Sequence, residues 1–126
     1  MIQEVIQAVR DTPAKFLTRC TAVSREGTVC AIGAYAYQKL PAFRELVDAR
    51  RANPTREYVY SLENTEEEDT IQSAYTLVGD HANLIFNAND HAWRYNVSAD
   101  ENKSRILEAL SAVAEFFPEQ KDRILA

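Results

Sequence analysis

The chain has 126 residues, 46% hydrophobic, 10% aromatic and 26% charged, with three glycines and four prolines. That balance is that of an ordinary globular protein, argues against long disordered linkers and predicts a single globular domain over residues 1–126. The formal charge of -5 and the lack of a basic stripe disfavour direct nucleic-acid binding, and no apolar run approaches the ~20 residues of a membrane span.

From the N-terminus, Ile2, Val5, Ile6 and Val9 share one helical stripe. MIQEVIQAVRD lacks the basic and apolar regions of a secretory leader, so a cytoplasmic location is expected. Thr12-Pro13 reads as the cap and first position of another short helix. FLTRCTAV at 16–23 is rich in β-formers and SREG supplies a turn, which predicts an antiparallel hairpin of 17–23 with 27–30. CAIGAYAYQKL predicts a helix broken at Leu40-Pro41. PAFRELVDARR predicts the next, ending near Asn53-Pro54 with Arg50 and Arg51 suited to its C-terminus.

YVYSL at 58–62 is expected to extend the hairpin. Thr65-Glu66-Glu67-Glu68 then forms a capping box opening a helix with Ile71, Ala74, Tyr75 and Val78 inward, closed by Gly79. A second box, Ser98-Ala99-Asp100-Glu101, starts a helix whose Ile106, Leu107, Leu110, Val113, Ala114 and Phe117 keep helical spacing up to Pro118. The expected fold is therefore α+β and mostly helical: five or six helices with a small antiparallel hairpin or three-stranded sheet.

The charge has one source. ENTEEEDT at 63–70 carries Glu63, Glu66, Glu67, Glu68 and Asp69 without a base, and the acids elsewhere balance the 14 Lys and Arg. Acids in a first helical turn favour the helix dipole, which is the plain reading. The functional reading makes Glu66, Glu67 and Asp69 a docking patch for a partner protein with a basic surface.

Cys20, Cys30, His81 and His91 are the ligand-type residues, but Cys-x9-Cys and His-x9-His lack the close pair that zinc sites use. Neither a metal nor another cofactor is expected, and both thiols are expected to be free. Cys30 at a strand-to-helix transition would gain from the helix dipole. With His91 or His81 as base and Asp90 or Asn89 as orienter, it would make a thiol nucleophile. The competing reading treats Cys30 as a small buried hydrophobe beside Ala31, Gly33, Ala34 and Ala36, which allow close packing. Asn89 and Asp90 are expected to hold a tight turn through side-chain bonds to nearby backbone.

GTVCAIGA at 27–34, FNANDHAW at 86–93 and the capped helix SADENKSRILEAL together resemble a family of small bacterial and mobile-element domains of unknown function. That family pairs a Gly-x-x-Cys-x-x-Gly-Ala block with an Asn-Asp pair before a Ser/Thr-capped helix. Gly27, Cys30, Gly33 and Ala34 match the first block, and Asn89, Asp90 and Ser98 the second. Residues 41–64 interrupt the match like an insertion, and Ala88 stands where the family carries an aromatic. The resemblance implies that the two blocks meet in space and brings no activity with it. The expected function is that of a small cytoplasmic protein-binding regulator, a phage- or mobile-element-encoded inhibitor of a host system. The alternative is a cysteine-dependent hydrolase using Cys30.

Overall fold

The computed structural model describes residues 1–54 and 65–116, with the side chains of Thr65 and Glu66 also outside the description. The strand expected at 58–62, Glu63, and the Phe117-Pro118 end of the last helix lie outside the described residues. The helices are α1 (Ile2–Asp11), α2 (Ala31–Lys39), α3 (Pro41–Ala52), α4 (Thr65–Val78), α5 (Ala82–Ala92) and α6 (Ala99–Phe116), with 3-10 turns at Ala14–Phe16 and Gly79–His81. None of the described helices is long and apolar enough to cross a membrane.

Helix α2 is the axis of the fold. Ala31 through Ala36 are all buried, so no side of its first turns faces water, the pattern of a core helix rather than an amphipathic one. Helices α1, α3, α4 and α5 pack around it, and α6 closes against α1 and α5. Helix α1 turns the expected stripe of Ile2, Val5, Ile6 and Val9 inward. Leu40 ends α2 and caps α3, whose first residue is Pro41, where a missing N–H costs nothing. Gly79, at φ +53, closes α4. The Ser98 hydroxyl accepts the Glu101 N–H at 3.1 Å at the start of α6, which buries Ile106 and Leu110.

The hairpin does not form. Leu17 and Val29 meet in one isolated bridge, and it is parallel: Val29 N–H donates to Phe16 O at 2.7 Å and Thr18 N–H to Val29 O at 2.9 Å. Among the described residues there is no strand or sheet, so the described part of the chain is all-α and the expected α+β class is corrected. The physical reason lies in where the β-formers go. Leu17, Ala22, Val23 and Val29 are buried against helices, while Cys20 at φ +69 breaks the extended backbone between them.

The resulting loop presses hard on α2. A Cβ on Gly33 would lie 1.8 Å from the Ala22 carbonyl oxygen, so only glycine lets helix and loop backbones approach this closely. Farther along, Gly27 at φ +82 closes a turn by donating to Ser24 O at 3.1 Å.

Candidate functional site

Where a loop packs onto a core, its covered backbone N–H and C=O groups must find partners, and this one finds them on helix side chains. Asn89, fully buried on α5, accepts the Ala31 N–H on Oδ1 at 3.0 Å and donates from Nδ2 to Thr18 O at 2.9 Å. Asp90 Oδ1 accepts the Cys20 N–H at 3.0 Å, and the Tyr75 hydroxyl of α4 accepts the Ala22 N–H at 3.0 Å. From α3, Arg50 donates to Ser24 O at 3.3 Å and Arg51 to Gly27 O at 2.8 Å. The Arg51 guanidinium also stands 4.0 Å from the Phe16 ring centre and 5.0 Å from that of Tyr37. Burial pulls its pKa below the usual arginine value.

Asn89 and Asp90 therefore lie inside α5, which corrects the tight turn expected there. Ile85, Asn89 and Ala92 are the buried positions of that helix, at the i, i+4, i+7 spacing of one face. The Gly27–Ala34 and Asn89-Asp90 blocks do meet in space, at the start of α2. Cys30 is the N-cap of α2 and makes no side-chain cap bond; Asn89 supplies the missing acceptor from another helix.

The Cys30 thiol has no exposure, and burial pushes its pKa up to about 11. The Gly33 and Ile32 amides oppose that shift, while the Asp90 carboxylate adds to it. Such a thiol stays protonated at neutral pH, the opposite of what a nucleophile needs. His91 is exposed and faces a groove of about 520 Å³ between α5 and α6, floored by Ala88, Ala92, Ala109 and Ala112. His81 lies in the 3-10 turn between α4 and α5. Asp90, the proposed orienter, is committed to the Cys20 amide.

Both cysteines are free thiols, Cys30 buried and Cys20 exposed with its Sγ 3.1 Å from Arg19 Nε. Among the described residues no group of three or more His, Cys, Asp or Glu is placed to hold a metal ion.

The acidic run divides. Glu67 Oε2 lies 3.7 Å from Arg50 Nη2, and the Arg50 side chain is only 9% exposed, so this acid serves the fold. Glu68 and Asp69 are exposed, and Glu66 contributes a helical position in α4 but no described side chain. Asp69 borders a cavity of about 230 Å³ between α3 and α4, walled by Leu40, Pro41, Ala42, Phe43, Thr70 and Ser73. Sequence reasoning missed this cavity and the roles of Tyr75, Arg50 and Arg51, because each depends on contacts between elements distant in the chain. No family model, curated protein or solved structure matches the chain.

Proposed function

We propose that this domain acts by binding another protein, and that the exposed acids at the start of α4 receive a basic side chain of that partner. The observation that supports the reading is the position of Asp69 at the edge of an apolar cavity. Leu40, Pro41 and Phe43 offer walls to an aliphatic stem, and the carboxylate offers a counter-charge to its head, the two needs of a lysine or arginine. At about 230 Å³ the cavity suits one side chain and falls below the ~300–1,000 Å³ of typical small-molecule sites. Burial of Cys30, with its pKa raised to about 11, favours this reading over the cysteine-dependent hydrolase.

Within the same proposal the protein works in the cytoplasm. It is a phage- or mobile-element product that regulates a host system, following the resemblance carried by Gly27, Cys30, Gly33, Asn89 and Asp90.

Selection from a displayed random-peptide library tests it. The wild-type domain should enrich peptides carrying lysine or arginine, and Asp69→Asn should bind them more weakly with a smaller salt dependence. Enrichment of peptides without basic residues, or equal binding by the Asp69→Asn variant, would contradict it.

A further inference from the structure

A second cavity of about 420 Å³ opens between the 3-10 turn at Ala14–Phe16, the Thr18–Cys20 segment and the chain entering α6. Its walls carry Lys15, Arg19 and Arg94, and among the described residues that line it there is no Asp or Glu. In a chain of net charge -5 that is a local reversal of sign. The remaining walls are mixed: Leu17, Val97 and Trp93 stand beside the polar Thr18, Cys20 and Asn102, with the exposed Tyr95 ring at the rim.

The charged groups are not equivalent. Arg94 donates from Nη1 to His91 O at 2.7 Å and to Trp93 O at 2.9 Å, which ties it to the end of α5. The Arg19 guanidinium lies 5.3 Å from the Tyr95 ring centre and reaches the Cys20 sulfur through Nε, while Lys15 lies 5.0 Å from the centre of Phe16. Asp90, the acid coupled to Arg19, already accepts the Cys20 N–H and a longer bond from Asn89. The cavity's size falls in the range of ligand pockets, and an aromatic wall beside Lys15 and Arg19, the two cations not tied to backbone carbonyls, suits a ligand with a flat apolar body and one anionic group.

We propose that this cavity binds a small organic anion, an aromatic or apolar body bearing a carboxylate or phosphate, with Arg19 and Lys15 pairing the anion and Trp93 and Tyr95 flanking the body. The site is independent of the Asp69 cavity and of the partner that cavity would take.

Two reporters stand in its wall. Trp93 is the only tryptophan in the chain, so selectively excited tryptophan emission arises at this cavity's wall, and Cys20 is an exposed thiol whose alkylation a bound ligand would hinder. Phenyl phosphate and benzoate, with benzamide as the neutral comparison and inorganic phosphate as the bare anion, are the probes. The two organic anions should shift Trp93 emission saturably, slow alkylation of Cys20 and lose affinity in high salt. Arg19→Gln should weaken them about tenfold, the loss of one charge-assisted contact. Lys15→Gln, at an exposed position, should weaken them less while melting as wild type does, which keeps the test open if Arg19→Gln fails to fold. No saturable shift and no protection of Cys20 at millimolar probe, or equal effects from benzamide or from inorganic phosphate, would overturn the proposal.

Discussion

Asn89 caps α2 from 58 residues away: its Oδ1 accepts the Ala31 N–H at 3.0 Å where the local cap residue, Cys30, offers no bond. The other end of the same amide holds Thr18 O, so one buried side chain joins the first turn of the central helix to the loop that precedes it. Both polar ends of Asn89 are used, and this explains how a fully buried asparagine is tolerated among Ile85, Cys30 and Ala31.

Asn89→Ala should lower stability by about 2–4 kcal/mol, since it orphans a buried donor and a buried acceptor together. Asn89→Asp keeps an acceptor for Ala31 but loses the donation to Thr18 and sets a second carboxylate beside Asp90. It should be no better than alanine at neutral pH. Urea midpoints measured at constant slope check both, and a loss under about 0.5 kcal/mol for Asn89→Ala would show the bonds to be incidental.

Gly33→Ala should reverse the usual sign. Inside a helix the change normally stabilises by about 1 kcal/mol. Here the new methyl would meet the Ala22 carbonyl at 1.8 Å, and a cost of about 3 kcal/mol is expected because backbone must move. Gly79→Ala meets no neighbour within 4 Å and should cost only about 1 kcal/mol through its positive φ. Thermal melts of the two variants should therefore differ clearly.

Much of the helical frame is legible in the sequence. The Ile2, Val5, Ile6, Val9 stripe, the Leu40-Pro41 break and the Ser98 cap each arise from residues close together in the chain, whose propensities and spacing act locally. The segment 16–30 is not legible in this way. Its β-formers fit a strand equally well, and what decides against one is a set of side chains on α3, α4 and α5 that supply the bonds a second strand would have made. The candidate sites follow the same division. The acidic run is plain in the sequence, but that Glu67 turns to Arg50 while Asp69 edges a cavity depends on how α3 lies against α4.

That division predicts different outcomes for two neighbouring acids. Glu67→Gln should destabilise by about 1–2 kcal/mol, because it removes the carboxylate facing the nearly buried Arg50. Asp69→Asn should leave stability within about 0.5 kcal/mol, as expected of an exposed residue. If Asp69→Asn proved the more damaging, that carboxylate would belong to the fold and not to a docking surface.

The Cys30 thiol gives stability a pH dependence with a definite sign. Its folded pKa is raised from 9.0 to about 11, so between those values the unfolded chain ionises while the folded chain keeps its proton. The contribution is fully present below about pH 9 and is lost as pH rises through about 11, by an amount of order 2 kcal/mol. Cys30→Ala should remove this part of the decline, as shown by comparing denaturant midpoints of the two proteins at pH 8 and near pH 10. Equal declines would mean that Cys30 does not titrate differently on folding.

Alkylation of the native protein, followed by intact-mass and peptide analysis, tests most directly whether Cys30 is a structural group or a catalytic one. Iodoacetamide at pH 7–8 should label the exposed Cys20 promptly and label Cys30 only as fast as the whole domain unfolds, with denaturant bringing the second adduct. Prompt labelling of Cys30 in the folded protein at neutral pH, ahead of Cys20, would contradict the account and restore the thiol as a nucleophile.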